Sequence, residues 1–319
     1  MKFIDIPQVR TLKDYSYSID EMASRVQKLE GVVSIYQIGS VSNPGMSDID
    51  MLVVFDDEAS IPSDPVRDFS PDTYLFTHQL YGVPKSRWED LRAYTFFHNY
   101  RFISGQELPE QRTVLAVADE RALKVQIALE FLVKMFVVLT VQLKYDIVKL
   151  RSFLLEGKAL IYDLEFLGID SGELFRLVNQ VIEMRAEWWQ RKPSDKELST
   201  LIKDLYHELT TLLQTEFSKN PLFLPLTESF KIARNIQISN GEFSANSSAI
   251  VFPNFGILNE KKHFNLLNRF SNFSFTFPYK MPEADSVIEK RFKLLSELRS
   301  HNNKNLPGFL IPASSLKVV

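Results

Sequence analysis

The chain has 319 residues, 45% hydrophobic and 24% charged, which is enough apolar material for a sizeable core and excludes disorder as a description of the whole. It contains no cysteine, which excludes disulfides, thiolate zinc sites, iron–sulfur clusters and a cysteine nucleophile, and fits a reducing, cytoplasmic setting. The formal net charge of −3 advertises no general affinity for nucleic acid, but residues 1–113 hold 11 Lys/Arg against 17 Asp/Glu and residues 221–319 hold 12 against 7.

Met1–Arg10 lacks an apolar core and carries Asp5 and Pro7, so no secretory signal is predicted. Ser18-Ile-Asp-Glu21 reads as a capping box, and the periodic run that follows predicts a helix over 19–30, ended by Gly31. Val32–Gly39 is β-branched and aromatic and predicts a strand. Ser40–Ser47, with Asn43-Pro44-Gly45, is a turn-rich connection to a second strand, Asp48–Phe55. The Met-Leu-Val-Val-Phe half of that strand is continuous, as in a strand buried on both faces. Asp56–Asp72 is an acidic, proline-bearing loop, and Thr73–Tyr81 alternates as a third strand would. Ser86-Arg-Trp-Glu89 predicts a short capped helix to about His98, and Tyr100–Ile103 a further strand.

From about 114 to 217 the apolar spacing is helical, with breaks near Lys144, Gly168–Gly172 and Pro193 and a capping box at Ser194–Glu197. Val125–Leu143 is long enough to span a bilayer, but Glu130 and Lys134 sit inside it, so a buried bundle helix is expected and no membrane partner. Trp188-Trp189 is expected to give one core ring and one half-exposed ring. After 221 the composition turns to Phe, Asn, Ser and Pro, with helices expected near 260–270 and 283–300. The expected architecture is α+β: a small mixed-sheet domain (1–113), an α-helical bundle (114–220) and a mixed C-terminal region (221–319).

Chemistry concentrates in one stretch, Gly39-Ser40 and then Ser47-Asp48-Ile49-Asp50. Two strand aspartates two apart share a face, about 7 Å between α-carbons. That spacing suits a pair of hard divalent cations about 3.5–4 Å apart. A glycine before them permits close backbone approach to phosphate, and the serine hydroxyl with free N–H groups can donate hydrogen bonds to it. A plain turn and a solvated strand end are the alternatives, and neither explains two carboxylates leading into a buried apolar strand.

This stretch resembles the nucleotidyltransferase superfamily typified by DNA polymerase beta. Its signature is a hydrophobic residue with Gly-Ser, then a carboxylate–hydrophobic–carboxylate–hydrophobic strand; Gly39-Ser40 and Asp48-Ile49-Asp50-Met51 fill it, and Ser47 also matches many members. The close similarity covers Val32–Asp57, with a looser one at Phe102–Leu108. The resemblance implies a nucleotidyltransferase-type domain with Asp48 and Asp50 binding Mg2+ or Mn2+. Gly39, Ser40 and Ser47 would hold a nucleoside triphosphate, with ATP the expected substrate. It implies transfer of a nucleoside monophosphate to an acceptor hydroxyl. The negative charge of 1–113 disfavours a nucleic-acid acceptor and favours a small molecule or a protein. The basic, phenylalanine-rich C-terminal stretch is the reservation. Lys144, Lys149, Arg151 and Lys158 fall on helices that line the nucleotide site in relatives, although a charged helix face also explains them.

The pattern departs at one place. Active relatives carry a third carboxylate on a neighbouring strand, and Thr73–Tyr81 has none. Asp72 at its start and His78 within it are the candidates, His78 as a catalytic base near the metals or as an ordinary core histidine, Asp72 as a ligand or a turn residue. The departure also leaves open a catalytically inactive nucleotide-binding or interaction module of the same fold.

Overall fold

The computed structural model describes residues 1–69, 72–95, 99–109, 113–226, 228–254, 256, 258–313 and 316. In chain order the elements are β1 (Lys2–Ile4), α1 (Leu12–Val26), β2 (Val32–Ile38), β3 (Asp50–Phe55), β4 (Tyr81–Pro84), α2 (Trp88–Tyr94), β5 (Arg101–Gly105), α3 (Val117–Tyr145), β6 (Ile147–Lys149), α4 (Leu150–Leu167) and α5 (Glu173–Glu187). They continue as α6 (Asp195–Lys219), β7 (Leu222–Phe223), β8 (Phe230–Ala233), β9 (Ile236–Asn240), β10 (Ser244–Ser248), α7 (Glu260–Phe270), β11 (Asn272–Phe277), β12 (Tyr279–Lys280) and α8 (Val287–Asn305). The class is mixed α+β. The chain divides into two compact units, a first with Gln8–Glu120 and Lys290–Ser314 and a second with Met1–Pro7 and Arg121–Glu289.

The first unit is built on a four-stranded mixed sheet in the order β4-β3-β2-β5. β3 is antiparallel to β2, with Ile38 opposite Asp50, and parallel to β4, with Leu52 opposite Tyr81. Met51, Leu52, Val53, Val54 and Phe55 are all fully buried, as the unbroken apolar run of a central strand requires. The odd-numbered residues of that run join a core with Tyr15, Ile19, Met22 and Val26 of α1. On the other face Tyr36 of β2 stacks on Trp88 of α2, ring centroids 4.9 Å apart.

Three expectations are corrected here. α1 begins seven residues early, because Thr11 and Asp14 form the working capping box, and Ser18 is buried inside the helix. The third strand is β4, not Thr73–Tyr81. Residues 73–80 form turns in which Leu75, Phe76 and Leu80 are all buried, so adjacent side chains both turn inward and the pleat alternation is lost. Ser86 caps no helix; a 3-10 turn over Lys85–Arg87 leads into α2, and the Ser86 N–H donates to Asp57 Oδ1 at 3.0 Å. The expected helix end at His98 lies outside the described residues.

The free edge of β4 is closed by the C-terminal segment. Leu310 N donates to Leu80 O at 2.8 Å, Gly82 N donates to Leu310 O at 2.9 Å, and Asn302 Nδ2 donates to Gly82 O at 3.0 Å. Phe309 packs edge-on against Phe55, centroids 5.0 Å apart. Gly82 is required by this approach, because a Cβ there would stand 2.7 Å from Phe309 Cβ.

In the second unit α3 is largely buried from Leu123 onward, with Glu130 bonded to Gln126 at 2.8 Å and Lys134 paired with Glu156 at 2.9 Å rather than with each other. No helix among the described residues is long and apolar enough to cross a membrane. The breaks before β6, at Gly168–Gly172 and at Pro193 fall where expected, and Ser194 caps α6. Trp188 is buried and Trp189 half-exposed. A second mixed sheet, β10-β11-β9-β8, buries Phe273, Phe275 and Phe277 at alternate positions of β11, with Phe275 and Phe277 edge-on to Phe136 of α3.

Candidate metal centre

The site lies where two loops of the first unit meet at the start of β3. The first, residues 39–49, leaves β2 at Gly39, whose φ of +72° lies in the left-handed region that glycine adopts without strain. One turn of this loop is internal: the Met46 and Ser47 N–H groups donate to Asn43 O at 3.0 and 2.9 Å. Two tyrosines then strap it down. The Tyr15 hydroxyl donates to Ser47 O at 2.6 Å and accepts from Gly45 N at 3.0 Å, while the Tyr74 hydroxyl donates to Gly45 O at 2.5 Å.

The second loop, residues 72–80, starts from Asp72, whose Oδ1 accepts from Tyr74 N at 3.1 Å as a turn-forming aspartate does. Arg10 Nε donates to Asp72 Oδ2 at 2.5 Å, and the guanidinium lies over the Tyr74 ring. Asp72 is therefore engaged in the turn and in an ion pair. Further along, Ile49 N donates to Leu75 O at 2.8 Å, joining the two loops. Thr77 Oγ1 then donates to Asp48 Oδ2 at 2.6 Å.

These anchors bring Asp48, Asp50 and His78 together, each offering a donor atom within 4.8 Å of the others. Asp50 owes its place to the first position of β3. Asp48 lies just before the strand, so the loop rather than the pleat places it. His78 Nε2 stands 3.0 Å from Asp50 Oδ1. At that separation the two form an ion pair when the ring carries its second proton. Oδ1, shut off from solvent, has no hydrogen-bond partner among the described residues. The other ring nitrogen, Nδ1, is 2.6 Å from Gln79 O. Tyr81 holds the imidazole edge-on, centroids 5.1 Å apart, with its hydroxyl 3.5 Å from Nε2.

The electrostatics follow from this crowding. Burial first, and then the charge of Asp48, push the Asp50 carboxyl above its ordinary value, with His78 pulling the other way. Burial works against a charged imidazole at His78, but Asp50, the Gln79 carbonyl and Asp48 together outweigh it and raise its pKa. Burial, followed by the charges of Asp50 and Asp48, raises that of the Tyr81 hydroxyl. Two carboxylates and an imidazole around one orphaned oxygen are a donor set that a divalent cation satisfies.

Gly39 stands beside this centre: a Cβ there would come 4.0 Å from Asp50 Oδ2. Ser40 is exposed next to it. Ser47 is buried, and its Oγ accepts from Asn43 N at 3.3 Å inside the loop. The basic residues noted on the helices all belong to the second unit. There Lys144 is exposed at the end of α3, Lys149 lies over the Phe264 ring, Lys158 donates to the Tyr162 hydroxyl at 2.9 Å, and Arg151 is buried. Sequence reasoning missed Thr77, Tyr81 and the two strapping tyrosines. Only the placement of Thr77 beside His78 hinted at the first, and nothing in the spacing pointed to the others. Comparison of the chain with family models, with curated proteins and with solved structures gave no match.

Proposed function

We propose that the first unit is a nucleotidyltransferase. It takes a nucleoside triphosphate, ATP in the first instance, and transfers its nucleoside monophosphate to a hydroxyl of a small-molecule or protein acceptor, releasing pyrophosphate. The single observation that carries this reading is the meeting of Gly39 and the Asp48/Asp50 pair: a backbone that phosphate can approach, where a Cβ would stand 4.0 Å from a partly buried carboxylate. Asp48 and Asp50 would hold Mg2+ or Mn2+, which when bound neutralises triphosphate charge and polarises the reacting phosphate. Ser40 is exposed and free to turn its hydroxyl toward phosphate oxygens, and the positive φ of Gly39 turns the chain there. Thr77 keeps Asp48 oriented through its 2.6 Å hydrogen bond. The excess of acidic residues in 1–113 argues against a long nucleic-acid acceptor, which needs a continuous basic track.

The test is incubation with labelled ATP, GTP, CTP and UTP and Mg2+ or Mn2+, read as pyrophosphate release or self-labelling. Asp48→Asn/Asp50→Asn should abolish the signal and metal-dependent nucleotide binding while leaving the fold intact. Undiminished binding by the double variant would refute the assignment. One observation favours a second reading, a nucleotide-binding module without catalysis: β4 carries no carboxylate, and the third member of the described cluster is a histidine. Nucleotide affinity without turnover on any triphosphate is its signature.

A further inference from the structure

We propose that His78 is a metal ligand through Nε2, so that Asp48, Asp50 and His78 form a mixed oxygen–nitrogen site that favours manganese over magnesium. This deepens the metal-binding part of the reading above and does not depend on the transfer step.

The argument starts at the other ring nitrogen. A backbone carbonyl can only accept, so the 2.6 Å contact to Gln79 O places the hydrogen on Nδ1. This is how metal-ligating histidines are commonly oriented, and it leaves Nε2 as the nitrogen that faces the carboxylates. Asp50 Oδ1, which also only accepts, stands 3.0 Å away, hidden from solvent and without a hydrogen bond. A positive charge belongs between these two atoms: a proton on Nε2 supplies it in the metal-free protein, and a divalent cation that displaces the proton would supply it when bound. Two ligands at right angles around an ion with bonds of about 2.1 Å are themselves about 3 Å apart. The 4.8 Å that bounds all three donor atoms is close to the diameter of one such coordination sphere, about 4–5 Å. Tyr81 packs on the imidazole and Thr77 fixes Asp48, so the donors are held before any ion arrives. Magnesium prefers an all-oxygen shell, whereas imidazole suits transition ions, so replacing a carboxylate by His78 tilts the preference.

The experiment is Mn2+ and Mg2+ binding to the untagged full-length chain without nucleotide, with free Mn2+ counted by electron paramagnetic resonance. Pulsed measurements on protein carrying 15N-histidine add the decisive readout. The expected result is a histidine-nitrogen coupling to bound Mn2+ that disappears in His78→Ala. Mn2+ affinity there should fall about 10–100-fold, at least the loss seen when a ligand's outer partner is removed. His78→Asp, a fold-preserving check by circular dichroism, should recover Mg2+ binding and reverse the Mn2+ over Mg2+ ratio. Mn2+ bound without nitrogen coupling, or equally tightly in His78→Ala, overturns the inference and leaves the nucleotidyltransferase reading standing. Nitrogen coupling without pyrophosphate release from any triphosphate supports the inference and removes the transfer reading. Absence of Mn2+ binding overturns it.

Discussion

Replacing Tyr15 by phenylalanine removes one oxygen and keeps the ring that packs in the core. That oxygen makes two hydrogen bonds, to Ser47 O at 2.6 Å and from Gly45 N at 3.0 Å, and Tyr15 is 2% exposed. Water cannot reach in to replace it. Each bond contributes about 0.5–1.5 kcal/mol net, and a buried group left unpaired costs about 1–3 kcal/mol, so Tyr15→Phe should destabilise the first unit by about 2–3 kcal/mol. The unit can be followed alone by denaturant unfolding read at Trp88, which is buried within it, in a chain where Trp188 and Trp189 are replaced by phenylalanine. The site should feel the same change, because residues 43–47 lead directly to Asp48; Mn2+ affinity is expected to fall several-fold. Tyr74→Phe, which frees Gly45 O, should couple to Tyr15→Phe by about 0.5 kcal/mol or more in a double-mutant cycle, since both hold the same residue. A loss below about 0.5 kcal/mol for Tyr15→Phe, within the range of an inconsequential surface change, would refute the claim that the tyrosines set the loop.

Gly82→Val should destabilise the first unit by about 1–3 kcal/mol through overpacking against Phe309, visible as a lowered Trp88 midpoint; Phe309→Ala, which leaves a cavity against Phe55, should cost about 3–5 kcal/mol. Thr77→Val should leave stability nearly unchanged and weaken Mn2+ binding, since the hydroxyl serves Asp48 on the exposed side. The metal-free protein should lose stability as pH rises. His78 binds its proton more tightly when folded than at its ordinary value of 6.5, so that contribution is complete below 6.5 and disappears as pH passes the raised value. A thermal midpoint falling from pH 6.5 upward, and flatter in His78→Ala, is the expected outcome; equal slopes in the two proteins would contradict the pairing with Asp50.

What could be read in advance was whatever depends on a short window of chain. The strands at 32 and 50 announce themselves by β-branched and continuous apolar runs, and Ser194–Glu197 caps its helix with no competitor nearby. At the N-terminus the box read at Ser18–Glu21 is not the one used, and Thr11 with Asp14 caps the helix instead. The earlier one prevails because Tyr15, Ile19, Met22 and Val26 form a single buried stripe that runs straight through Ser18. Residues 73–81 alternate like a strand, yet Asp72 turns the chain and side-chain anchoring replaces sheet pairing until Tyr81. Asp48 and Asp50 were legible as a pair because they are close in sequence. The convergence of His78 and Thr77 on them is a property of loop packing across residues that no local spacing encodes.

The closure of β4 by Leu310 and Phe309 has a consequence for biosynthesis. The strands and site residues of the first unit leave the ribosome early, but the segment that seals their sheet comes only after the whole of Arg121–Glu289. At translation rates of about 5–20 residues per second that interval is roughly 10–30 s. Throughout it the nascent chain carries an unsealed strand edge beside an uncovered Phe55, the kind of surface that invites wrong pairing. The first unit therefore stays unfinished until the whole of Arg121–Glu289 has been made, and that interval is when a chaperone would shield its open edge.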